Sequence, residues 1–209
     1  MIDNNHSFAL ALHPNRVRVA GVLLMPFCLG HAILLTRIKS PLAGYWTGEQ
    51  KEIGVADIAW ALWICSRHAT EAHQKLGSWW TIRSIKKLAN RVADNGSLTT
   101  HREIFTYLEN GFSGPKMRKE SKSTPCGSPL LAMLYASLLS HFHRSDSEAF
   151  NTPIALALWN RAALLEENGI AKVWTDSDEE LADAARNMTE EQANEILNKV
   201  KPDEQKVEE

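Results

Sequence analysis

From Val19 to Leu35 the 209-residue chain carries no formal charge, a run of 17 residues. Such a run either crosses a membrane or is buried in a protein core. A spanning helix needs roughly 20 consecutive apolar residues. This run is shorter, and Gly21, Pro26 and Gly30 interrupt it. Proline lacks an N–H and its ring clashes with the preceding turn, so Pro26 breaks or restarts a helix. The run therefore reads as two pieces. "VRVAGVLLM" is an extended or irregular apolar lead-in. Pro26 then occupies the first turn of a new helix, where the missing N–H has no intrahelical partner to lose. Phe27, His31, Leu34, Leu35 and Ile38 follow at helical spacing, with Arg37 and Lys39 at the negative end and Pro41 as the stop.

The rest of the chain repeats this helical grammar. Glu52–Gly77 reads as one long helix, apolar nearly all round from Ile58 to Cys65 and so buried on several sides. Ser78 is a natural N-cap for "WWTIRSIKKLANRVADNG", in which Trp79, Ile82, Ile85, Leu88 and Val92 form one stripe. A helix is expected over about Thr99–Glu109. The stretch Asn110–Pro129, rich in Gly, Ser, Pro and Lys/Arg, reads as a long loop. Pro129 and Pro153 open two further apolar helices, with a short Ser145- or Asp146-capped segment between them. Two acidic helices follow, one capped at Thr175 or Ser177 and one at Thr189. The expected fold is all-α: an irregular domain of about seven or eight helices over 1–175, and an acidic helical tail over 176–209 whose end frays. Val17–Leu24 is the one β-rich patch.

Charge is unevenly spread. Residues 176–209 hold 12 acidic and 4 basic side chains, a net −8, while 1–175 carries +6. The acidic tail reads as a solvated helix pair, or as a flap or docking tail. The three cysteines, Cys28, Cys65 and Cys126, form no CxxC and no even-numbered disulfide framework, which suggests a reducing compartment. The N-terminal decapeptide lacks the pattern of a signal peptide.

No constellation compels an enzymatic reading. His68 and His73 are five apart, so at 100° per residue their rings diverge by about 140° and do not share a metal. Cys28 and His31 make a local i, i+3 pair, but the sequence offers neither an orienting third group nor oxyanion donors. His31 on an apolar face reads as a histidine bonded to a backbone carbonyl. Phosphate-binding, nucleophile-elbow and dinucleotide motifs are missing. The expectation is a non-catalytic protein with no cofactor and no metal. The competing function is nucleic-acid association through Arg83, Lys86, Lys87 and Arg91 on a helix and Lys116, Arg118, Lys119 and Lys122 in the loop. The mild overall charge argues against a dedicated binder. Trp79-Trp80 beside basic residues also has the composition of an interfacial helix, but Trp79 is expected in the core, with Trp80 capping it or meeting a partner; no membrane partner is expected.

The order of pieces resembles a family. "LLMPFCLGHAILLTRIKSPL" is similar to the opening apolar–Pro–(Thr/Ser/Cys)–Leu–Gly, helix, small residue–Pro segment of phage tail assembly chaperones, small helical proteins of tailed-phage and prophage morphogenesis modules. "ADIAWALWICS" resembles their aromatic-rich helix, and "TPCGSPLLAMLYASLLSHF" with "EAFNTPIALALWNRAALLEENG" their later paired helices. The likeness spans Val19–Cys65 and Thr124–Gly169; the segment Trp79–Arg91 and the acidic tail stand outside it. It implies transient binding of tape-measure or tail-tube subunits, which would keep their apolar helices soluble until the tube polymerises. It also implies a place in the bacterial cytoplasm or with the virion, and leaves homo-oligomerisation open. Large aromatics dominate interface energetics, so the contact candidates are Trp63, Trp79, Trp80 and Trp159, with ordinary core packing the alternative for Trp63 and Trp159.

Overall fold

The helix that the sequence predicts at Pro26 begins three residues later. In the computed structural model, which describes residues 4–12, 14–48, 51–119 and 128–175 together with Asp178, Glu180 and Met188, the apolar run is a hairpin, an extended strap and then a helix. Ten α-helices lie among the described residues. The first five are α1 (Asn4–Leu12), α2 (Leu29–Arg37), α3 (Gly44–Thr47), α4 (Val55–Cys65) and α5 (Ala69–Lys75). The others are α6 (Trp79–Asp94), α7 (Ser97–Gly111), α8 (Leu130–Ser140), α9 (Asp146–Asn151) and α10 (Ile154–Glu167). The all-α reading holds.

Two short antiparallel ribbons accompany the helices. In the first, β1 (Arg18–Val19) pairs with β2 (Val22–Leu23) across a turn in which Ala20 and Gly21 both have positive φ, 46° and 72°. That geometry matches the right-handed twist of a two-residue hairpin. It accounts for the extended lead-in. The second, β3 (Met117–Lys119) with β4 (Ala171–Val173), corrects the loop expected over 110–129. Residues 120–127 of that loop lie outside the described residues, as do nearly all of the two acidic helices expected in the tail. At the tail's start Thr175 donates its backbone N–H and its hydroxyl to Asp178 Oδ2, at 2.9 and 2.7 Å, which is the hydrogen bonding expected of a capping residue.

Met25 to Cys28 is extended, and α2 starts only at Leu29, because backbone partners on both sides claim this stretch. Met25 N–H donates to Cys65 O at 2.8 Å, Ile154 N–H donates to Phe27 O at 3.0 Å, and Leu29 N–H donates to Thr152 O at 3.0 Å. These bonds replace the first helical turn that Pro26 would have opened, and Cys28 becomes the N-cap of α2. Similar competition splits the single helix expected over Glu52–Gly77. The Cys65 carbonyl is taken by Met25 and the Arg67 carbonyl by His31 Nε2 at 2.9 Å. The carbonyl that ends α4 and a second one two residues beyond it thus face tertiary partners, and the chain restarts at α5 with Ala69 N–H donating to Asn151 Oδ1.

The core sits where α2, α4, α7, α8 and α10 converge. Leu29, Leu34 and Leu35 of α2, Leu62 and Ile64 of α4, Ile104 and Leu108 of α7, Leu134 and Leu138 of α8 and Ile154 of α10 are all fully buried. Fully burying each such side chain contributes about 1.5–3 kcal/mol. Phe27 joins the strap to this core, its ring 5.6–6.1 Å from those of His31, Trp46, Tyr107 and Phe112. Gly30 lets α2 approach α9 and α5. A Cβ there would meet the Phe150 ring at 2.5 Å and the Ala69 Cβ at 2.6 Å. Gly30→Ala is therefore expected to lower unfolding stability by about 1–3 kcal/mol, as overpacking does. A denaturant titration that leaves the midpoint of Gly30→Ala unchanged would refute this packing account.

Candidate interaction surfaces

The one nucleophile–base pair legible in the sequence is sealed. Cys28 and His31 are buried at the start of α2. His31 Nδ1 accepts the Cys28 backbone N–H at 3.4 Å, and Nε2–H donates to Arg67 O at 2.9 Å. One neutral tautomer makes both bonds, so the ring caps α2 and ties it to the end of α4. This is the carbonyl-bonded histidine expected from the sequence. Burial pushes the Cys28 thiol up to about 12, against opposing backbone hydrogen bonds from His31 and Gly30. Burial likewise drives His31 down to about 4, more strongly than its Arg67 carbonyl bond raises it. The pair is thiol and neutral imidazole, without a thiolate to attack. A cavity of about 160 Å³ beside it also touches His68 and Asn151, but both Asn151 Nδ2 and Oδ1 are occupied, by Thr70, Ser147 and Ala69. Among the described residues no group of three His, Cys, Asp or Glu side chains is placed to hold a metal.

The four tryptophans proposed as contacts separate. Trp63 is 3% exposed on α4, edge-on to Trp60 at 6.3 Å and under the Arg67 guanidinium at 4.3 Å. It is core, and the contact role falls away because it has no free face. Trp159 on α10 is half-buried, with Phe8 of α1 edge-on at 5.9 Å. Trp79 and Trp80 are 63% and 69% exposed.

The exposure of Trp79 corrects the stripe read for α6, and Ile82, 58% exposed, shares the correction. The face of α6 packed on α4 is Thr81, Ile85, Leu88 and Val92, at helical spacing. The two registers differ only in the first turn. Thr81 takes the inward place because its hydroxyl is satisfied there, donating to Lys75 O at 2.7 Å beside Ser78 Oγ at 3.0 Å. Ser78 accepts the Thr81 N–H at 3.3 Å, the cap expected from the sequence. With Thr81 inside, Trp79, Trp80 and Ile82 turn to solvent. Arg83, Lys86, Lys87 and Arg91 are exposed on the same outer side, and no described carboxylate lies within ion-pair distance of any of them.

The other proposed phosphate ligands are elsewhere. Lys116 precedes β3, exposed Arg118 lies on it and Lys119 ends it, and β3 pairs with β4, which packs on α10. Helix α6 packs on α4 and α7 instead. The helix and loop cations thus belong to different packing groups; Lys122 lies outside the described residues.

Sequence reading passed over α1. This uncharged helix buries only Ala11 and exposes Phe8, Leu10 and Leu12 by 40%, 46% and 45%. Beside it is a cavity of about 270 Å³ lined by Leu10, Val17, Phe27, Tyr107 and Pro153, among others. The i, i+4 spacing of Phe8 and Leu12 was the available signal. No described helix is long and apolar enough to cross a membrane. Comparison with family models, curated proteins and solved structures found no match.

Two outcomes test the sealed pair. In a Cys126→Ser background, iodoacetamide at pH 8 is expected to leave Cys28 and Cys65 unlabelled in the folded protein and to label both after denaturation; rapid labelling of native Cys28 would contradict its burial. The second concerns acid. His31 binds a proton near 6.5 when unfolded and near 4 when folded, so its contribution is complete above about pH 6.5 and is lost as pH falls towards 4. The fall amounts to about 3 kcal/mol. Denaturant midpoints measured from pH 7 to 4 should drop less steeply for His31→Gln than for the natural protein.

Proposed function

We propose that the protein is a non-catalytic component of phage or prophage tail morphogenesis, acting as a tail assembly chaperone does. It holds an apolar helix of a tape-measure or tail-tube subunit until the tube polymerises. The observation that carries this reading is the partly exposed apolar surface of α1. Phe8 and Leu12, 40% and 45% exposed on one face, and Leu10, 46% exposed beside an apolar slot on the other, leave apolar area on this uncharged nine-residue helix that gains from being covered. A partner helix is the natural cover, since its anchor side chains follow the spacing of Phe8 and Leu12. The family resemblance supplies the identity of the partner, and the capping role of His31 removes the one pair that suggested chemistry.

Co-expression with the products of neighbouring genes tests this. A complex is expected to form, and Phe8→Asp combined with Leu12→Asp is expected to abolish it; because the Phe8 ring also packs edge-on against Trp159, a helical circular dichroism spectrum verifies that the variant still folds. A protein that stays alone with every neighbour would overturn the reading. The nucleic-acid alternative rests on the four unpaired cations of α6. It requires a gel shift at about 50 mM salt that weakens steeply as salt rises.

A further inference from the structure

Helix α6 presents a second surface, unlike the α1 flank in both shape and charge. We propose that it is an interfacial helix that seats on an anionic phospholipid surface, with Trp79, Trp80 and Ile82 at headgroup depth and Arg83, Lys86, Lys87 and Arg91 pairing with lipid phosphates. This reading is independent of the α1 partner, because it uses a different helix.

The packing of α6 supplies the first argument. Its inner face is fully used by the core through Thr81, Ile85 and Val92, so the helix is anchored, and what it presents outward is fixed. Outward it shows two indole rings and one branched aliphatic side chain, all more than half exposed. Tryptophan, arginine and lysine are the side chains that settle at a bilayer interface, the ring at headgroup level and the cation among the phosphates.

The distribution of those side chains chooses among anionic partners. The apolar residues occupy only the first turn of α6, and the remaining outer face offers cations and polar groups. A partner helix needs anchors repeating every three to four residues along its path, and that seam is missing here. Single-stranded nucleic acid needs open, roughly parallel ring faces for bases to stack on. Here Trp80 is edge-on to Trp79 at 77° and 5.0 Å, and the Arg83 guanidinium lies over the Trp79 ring at 5.6 Å. Trp79 and Trp80 are 63% and 69% exposed, and neither lines the cavities at Leu10, Leu158, His31 or Ile58. A shallow apolar knob with a row of unpaired cations beside it fits a broad surface that is greasy just beneath and anionic on top.

Vesicle flotation with the full chain tests the inference. At about 50 mM salt, binding to phosphatidylcholine vesicles containing phosphatidylglycerol is expected to be at least tenfold tighter than to pure phosphatidylcholine, and to weaken as salt rises. Trp79→Ala with Trp80→Ala, and separately Lys86→Glu with Lys87→Glu, are each expected to lower binding at least tenfold. These positions are exposed, and an unchanged melting temperature verifies that the variants fold. Phe8→Asp with Leu12→Asp is expected to bind vesicles normally, which separates this surface from the α1 flank. Equal binding to neutral and anionic vesicles, no binding to either, or vesicle binding untouched by the tryptophan pair would overturn the proposal. So would a single-stranded oligonucleotide that binds more tightly than the anionic vesicles and is lost with the same tryptophan variants.

Discussion

Four residues of extended backbone, Met25 to Cys28, together with Leu29 at the start of α2, hold the body of this protein together. Their main-chain groups bond to the end of α4 through Cys65, to the start of α10 through Ile154 and to the end of α9 through Thr152. The Tyr107 hydroxyl adds α7 by donating to the Met25 carbonyl at 2.8 Å. Each bond is modest by itself, about 1 kcal/mol net. Their joint effect is geometric: four helices from distant parts of the chain are referred to one short strap. Where α4 ends, where α2 begins and where the Phe27 ring points all follow from it.

His31 belongs to the same device. Its imidazole satisfies a backbone donor at the start of α2 and a backbone acceptor after α4, both in an apolar setting where an unpaired group costs about 1–3 kcal/mol. The features that make it resemble a catalytic residue, burial and a neighbouring cysteine, are what make it structural. Burial holds the imidazole neutral and the thiol protonated. A chemical reading of the i, i+3 pair fails on desolvation rather than on distance.

The surface follows from a register choice in α6. Trp79 and Ile82 have the greater hydrophobicity, yet Thr81 is inside, because Lys75 O and Ser78 Oγ pair with its hydroxyl. A single satisfied hydroxyl turns the first turn of the helix and places two tryptophans in water. The surface functions proposed for α1 and α6 rest on such exposures, and in both helices the exposed residues are ones that composition alone would assign to a core.

Local chemistry in the sequence determined the helical class, the caps at Ser78 and Ser145, the helices opening after Pro129 and Pro153 and the extended stretch before Pro26. These are properties of a residue and its near neighbours, and capping hydroxyls and proline rings act within one turn. Tertiary structure alone decided the late start of α2, the break after Cys65, the pairing of Met117–Lys119 with Ala171–Val173 and the outward turn of Trp79 and Ile82. In each case a backbone group or hydroxyl found its partner far along the chain or across a turn, and the satisfaction of that buried polar group outweighed the local hydrophobic pattern.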